Sequence, residues 1–207
     1  MWQTVSGVPA LTVGEPSDRP PILFIHENRG LSPYMREVID ELATEGYEVC
    51  APDLLHRLGG TAAFAHDPTS VSTRQVSEDV HEADLVAVFD GLARTPALLG
   101  FCFGAEMGWR LVTRRTPVAA ALLYGIGPAS VDRIGCPVLA VYAEDDPRVN
   151  DTLPDLCRML APSDVDYRLA SYPDTKHAFH DRDRPERFHP DAAEHAWAAV
   201  LDFLGHA

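Results

Sequence analysis

The sequence predicts an α/β domain with a mostly parallel central sheet and helices on both faces. Three observations carry that reading. Short apolar runs recur along the 207 residues, amphipathic segments with helical spacing lie between them, and Pro or Gly marks most junctions. Strands alternating with helices in this way join as parallel βαβ units. The chain is long enough for one well-buried domain and short for two. With no internal repeat or low-complexity linker, it reads as a single domain, 1–207.

Residues 22–26 form the first buried strand, introduced by Pro20-Pro21. Ser32 and Pro33 read as an N-cap and a first-turn proline, and their helix carries Val38, Ile39, Leu42 and Ala43 on one side before ending near Gly46. Residues 47–51 are the next strand, closed by Pro52-Asp53. A loop with Gly59-Gly60 and Asp67-Pro68 spans 56–72. A long helix follows over 73–92, with Val76, Val80, Ala83 and Ala87 inward. Residues 96–99 lead as a strand into a helical segment at 105–112. Residues 118–124, 137–142 and 167–172 are further strands, 153–160 is a helix, and 191–204 is a closing helix built on Ala193, Trp197, Val200 and Leu204.

A formal net charge of −14 makes a surface that repels nucleic acid and anionic membranes. No apolar run approaches the roughly 20 residues of a membrane span. Met1-Trp2-Gln3-Thr4-Val5 lacks the basic-then-apolar order of a signal peptide. Cys50, Cys102, Cys136 and Cys157 form no CxxC pair, which argues against a disulfide framework or zinc site and for a cytoplasmic setting. Cys50 and Cys157 read as core residues. The expected partner is a small molecule, bound by a monomer or small homo-oligomer.

Gly100-Phe101-Cys102-Phe103-Gly104 is the most informative stretch. A strand, a sharp turn and a helix in succession make a nucleophile elbow, here with a thiol in place of the usual hydroxyl. The flanking positions must be small because the strained turn brings strand and helix together, and glycine meets that need. A buried cysteine at a Gly-rich packing point fits the same five residues, so the partners decide. Downstream, the 137–142 strand ends in Glu144-Asp145-Asp146 and the 167–172 strand runs into His177. Chemistry on open α/β sheets gathers at the carboxyl ends of strands. The order nucleophile, acid, histidine supplies a thiol, a base and an orienter for the base. Asp145 rivals Asp146 as orienter, and the motif register favours Asp146. His180, His189 and His195 have no second-ligand spacing; they read as a solvated loop, and no metal or cofactor is expected.

From about residue 20 to the C-terminus the chain resembles the dienelactone hydrolase family, a cysteine-nucleophile branch of the α/β-hydrolase fold. The matching residues are Phe24 to Leu31 (FIHENRGL), Arg36, Gly46-Tyr47, Ala51-Pro52-Asp53-Leu54, the Cys102 elbow, Asp146 and His177-Ala178-Phe179. They end with Arg184 to Pro190 (RPERFHP), leading to Ala193 and Trp197. The resemblance implies Cys102 as nucleophile, His177 as base and Asp146 as orienter. It further implies Glu27 as a carboxylate contacting the resting thiol, and the backbone N–H groups of Asn28 and Phe103 as oxyanion hole. The implied activity is hydrolysis of a small ester or lactone through an acyl-cysteine. General esterase or thioesterase work, or a redox-sensing thiol, are the alternatives. Where the family has an arginine four residues after the histidine, this chain has Asp181, with Arg182 next to it; Arg74 is the counterpart expected for the second substrate-binding arginine.

Overall fold

The computed structural model describes residues 1–61 and 72–206; the Asp67-Pro68 turn expected from the sequence lies outside them. Its strands are β1 (Trp2–Val5), β2 (Val8–Val13), β3 (Ile22–Ile25), β4 (Val49–Pro52), β5 (Ala97–Phe101), β6 (Ala120–Leu123), β7 (Val138–Asp145) and β8 (Tyr167–Lys176). They form one sheet in the order β1-β2-β4-β3-β5-β6-β7-β8. The β1–β2 and β2–β4 pairs are antiparallel, and every other pair is parallel. The short N-terminus thus supplies two antiparallel strands at one edge, and the remainder is the parallel sheet the alternation predicts.

The helices are α1 (Pro33–Thr44), α2 (Glu78–Gly91), α3 (Phe103–Val112), α4 (Pro147–Asn150), α5 (Leu153–Leu160) and α6 (Pro190–Gly205). Side chains alternate across a strand, so Ile22 and Phe24 pack with α1 and α6 while Leu23 and Ile25 pack with α2, α3 and α5. All four are fully buried, each contributing about 1.5–3 kcal/mol. Ser32 Oγ caps α1 by accepting from Met35 N at 3.3 Å, and Pro33 opens the first turn, as the sequence implies. Beyond its C-cap the chain reverses at Gly46, whose φ of +87° suits glycine.

One predicted helix is corrected. Thr73–Gln75 is a single 3₁₀ turn, Val76 is extended, and α2 begins only after Ser77. Its buried stripe is His81, Asp84, Leu85 and Val88, one step out of phase with the predicted one, and Ala83 is exposed. Two hydrophilic side chains in that stripe hid the true period. Cys157 is likewise exposed on α5 and is no core residue.

The parallel strands deliver their carboxyl ends to one rim. Strand order reverses about β3, which lies between β4 and β5, and a crevice opens at such a switch point. Residues following β3, β5, β7 and β8 meet there. No helix among the described residues is long and apolar enough to cross a membrane.

Candidate active site

Cys102 stands between β5 and α3 with φ +54° and ψ −114°, a conformation that costs a non-glycine residue of order 1–3 kcal/mol. Its neighbours enforce it. A Cβ on Gly104 would lie 2.0 Å from the Ile25 carbonyl oxygen, and one on Gly100 would lie 2.5 Å from the Gly104 oxygen. The Cys102 N–H donates to the Leu123 carbonyl at 2.9 Å, tying the elbow to β6. The glycines that marked the motif are therefore required by contact.

His177 follows β8 directly. Its Nε2 lies 3.0 Å from Cys102 Sγ and its Nδ1 lies 2.5 Å from Asp146 Oδ2. Asp146 is buried after β7, whereas Asp145 is exposed, so geometry separates the rivals. Burial opposes the imidazolium, but the hydrogen bonds to Asp146 and to the Cys102 sulfur outweigh it and hold His177 up to about 9.

Glu27 is buried beyond β3, yet its hydrogen bonds do not run to the thiol. Oε1 accepts from Arg29 N at 3.0 Å and Oε2 accepts from Arg184 Nη2 at 3.0 Å. The sulfur pairs with His177 instead, which corrects the implied thiol contact. Arg184 Nε also lies 2.8 Å from Asp181 Oδ2, at ion-pair distance but off the axis of a hydrogen bond. One guanidinium thus faces two carboxylates, and all three side chains are nearly buried. Burial raises the pKa of Glu27 and of Asp181, and Arg184 partly offsets it in both.

The opposite flank inverts that ratio. Glu106, one turn into α3, accepts from Arg74 Nη2 at 2.7 Å and Arg148 Nη1 at 2.8 Å. The Arg74 guanidinium lies 5.6 Å from the Phe103 ring centroid, and burial opposes the charge on Arg148 while its hydrogen bond and ion pair with Glu106 outweigh that cost and raise it. Arg182 is elsewhere: it is exposed, with Glu41 at 3.9 Å. That placement corrects the sequence expectation, because Asp181 turns the loop so that Arg184, not Arg182, reaches the rim.

A model described as the dienelactone hydrolase family matches residues 8–207. The chain belongs to that family. A curated relative from Saccharolobus solfataricus, provisionally named carboxymethylenebutenolidase, is 26% identical, spanning 88% of this chain and 88% of its own. One of the same name from Escherichia coli K12 is 26% identical, spanning 89% and 76%. The crystal structure of a provisionally named dienelactone hydrolase from Klebsiella pneumoniae shares the fold with a TM-score of 0.79 at 24% identity, covering 97% of this chain and 93% of that one.

Within the site of this dienelactone hydrolase family member, sequence reasoning missed Arg184, Arg148, Glu106 and Tyr124. Tyr124 directly follows β6 with φ +46°, and its ring sits edge-on 5.1 Å from that of His177. Burial first, then the nearby Asp181 and Glu27 carboxylates, push its phenol well above the usual range. Its place at a strand's carboxyl end was the available signal. His180 also departs from the solvated-loop reading: it is buried, hydrogen-bonded to Tyr34 and packed on Phe101 and Trp197. Burial lowers it to about 4, so it stays neutral in the core.

Proposed function

We propose that this hydrolase opens a small ester or lactone through an acyl-cysteine intermediate. The observation that carries the reading is the continuous hydrogen-bonded path from Asp146 through His177 to Cys102 at a strained elbow. The Cys102 sulfur attacks the carbonyl carbon with its proton held on His177 Nε2 as imidazolium, in line with the raised pKa of that ring. Asp146 holds the ring by Nδ1 and stabilises the imidazolium that forms. The carbonyl oxygen takes up negative charge beside the N–H groups of Phe103 and Asn28, neither of which has an acceptor among the described residues. Such a donor contributes about 2.7–4 kcal/mol.

Collapse of the adduct expels an alcohol or enolate, which takes the proton from His177. Water, losing a proton to His177, then cleaves the thioester, and the acid leaves as the thiol is restored. A thiolate is a better leaving group than an amine, so amide adducts collapse backwards and activated esters or lactones go forward. At the Glu27–Arg184–Asp181 corner a substrate carboxylate would meet one cation already shared by two anions. A neutral group therefore suits that corner.

The test is burst kinetics with p-nitrophenyl acetate and dienelactone on the parent, Cys102→Ala and Cys102→Ser. The reading expects a burst and turnover that vanish in Cys102→Ala. Equal rates in parent and Cys102→Ala would refute the nucleophile assignment.

A further inference from the structure

We propose that His26 is a positioning residue for the oxyanion hole: its side chain fixes the peptide joining Glu27 to Asn28 and so aims the Asn28 N–H. The proposal rests on the hydrolase reading above, since it concerns a donor to the developing oxyanion.

His26 is fully buried one residue before Glu27, and the mechanism does not use it. Both of its ring nitrogens are engaged. The Leu54 backbone N–H donates to Nε2 at 3.0 Å. An amide nitrogen can only donate, so Nε2 carries no proton and Nδ1 must carry it. Nδ1–H therefore donates to the Glu27 carbonyl oxygen, 2.7 Å away. The tautomer follows from the geometry alone.

The Glu27 carbonyl and the Asn28 N–H belong to one planar unit. In a trans peptide they point in opposite directions, and among the described residues no peptide is cis. Drawing the carbonyl inward to His26 turns the N–H outward. The same oxygen also accepts from Gly30 N at 3.1 Å, which closes the turn beyond it. Hydrogen bonds to the oxygen of an amide polarise its N–H, so the clamp strengthens the donor as well as aiming it.

Asn28 is held at its other end too. Its carbonyl accepts from Thr73 N at 3.1 Å. Its side-chain oxygen accepts from Ser72 Oγ at 2.5 Å and Thr73 Oγ1 at 3.0 Å. The backbone N–H has no acceptor among the described residues. The backbone groups on either side, the Glu27 and Asn28 carbonyls and the Arg29 N–H, are all tied, and the one left open is the one the reaction needs. Burial lowers the His26 pKa, so the neutral ring persists through the physiological range.

Two conservative variants separate aiming from mere packing. Asn places an amide donor near Nδ1 and keeps the bond to Glu27 O; Gln places an acceptor near Nε2 and keeps the bond to Leu54 N. Both are made in a Cys157→Ser background, because Cys157 is an exposed competing thiol. Two reactions are timed on each: acylation by p-nitrophenyl acetate, and alkylation by iodoacetamide. In alkylation the sulfur displaces iodide from a saturated carbon and no oxygen gains charge, so it reports on the thiol and His177 without the oxyanion hole. Rates are normalised to alkylatable Cys102, which discounts unfolded protein.

Losing one oxyanion donor lowers kcat about 10²–10³-fold, so a misaimed donor is expected to lower acylation about 10- to 100-fold in His26→Gln. His26→Asn is expected to acylate within a few-fold of parent, and both to alkylate at the parent rate. Should His26→Gln yield no folded protein, His26→Leu, of similar size and without either hydrogen bond, takes its place: a loss confined to acylation sustains the proposal, and acylation at the parent rate overturns it. Acylation and alkylation falling together would make His26 a general structural residue, and an unimpaired His26→Gln would also refute the proposal. A parent enzyme that alkylates at Cys102 but never acylates there would instead refute the hydrolase reading.

Discussion

Two charge clusters flank Cys102 with opposite arithmetic. At one side a single guanidinium, Arg184, serves two carboxylates, Glu27 and Asp181. At the other a single carboxylate, Glu106, serves two guanidinia, Arg74 and Arg148. The first cluster is nearly buried throughout; in the second the arginine side chains are each 46% exposed. Equal counts of charged groups thus give a rim that is negative and dry on one flank and positive and wet on the other. The contrast concerns solvent as much as sign: the same kind of ion pair is structural where it is buried and adjustable where water screens it.

Removing the shared member of the dry cluster should cause the largest effect. Arg184→Leu leaves two buried carboxylates unpaired, and breaking such a pair costs about 3–5 kcal/mol. Urea unfolding measures it; a loss below about 1 kcal/mol would place the cluster with ordinary surface pairs. Asp181→Asn is next. It relieves Arg184 of one anion, and kcat/KM for a carboxylate-bearing lactone should rise about tenfold relative to a neutral ester, a change of about 1.4 kcal/mol. An unchanged ratio would mean that the substrate does not meet this corner.

Glu106→Gln is the matched change on the wet side. The two arginines left behind are half-solvated, so the cost should be about 1 kcal/mol or less in the same urea titration. The smallest effect lies along pH. Glu27 and Asp181 both have raised pKa values, so as pH falls they take up protons before ordinary carboxylates do, and the corner loses negative charge. The preference for a carboxylate-bearing substrate over a neutral one should therefore grow a few-fold between pH 7 and about 5, and Asp181→Asn should flatten that rise. His177 is held up to about 9 and does not titrate in this window, so the ratio isolates the corner.

The difference between the flanks also separates what sequence could and could not reveal. The elbow was legible because backbone contact dictates Gly100 and Gly104. Asp146 and His177 were legible because they terminate strands, and strand ends share one rim. The choice of Asp146 over Asp145 rested on motif register, and the hydrogen bond to His177 agrees with it. The arginines were not legible. Arg182, Arg184 and Arg187 crowd one loop, and which of them reaches the rim depends on turn geometry that no periodicity encodes. Arg148 and Glu106 come from separate elements and meet only in the folded chain. The helix preceding β5 was misphased for a related reason: His81 and Asp84 are buried there through polar partners, Thr73 for the first and Arg57 and His56 for the second.

The central claim is that the Cys102 sulfur becomes acylated during turnover. Rapid acid quench of the parent with p-nitrophenyl acetate, followed by peptide mass spectrometry, tests it most directly. The account predicts one acetyl group on the peptide that carries Cys102, appearing within the burst and disappearing as substrate is consumed. Sustained turnover with that peptide unmodified, or with the acetyl group on another residue, would contradict it.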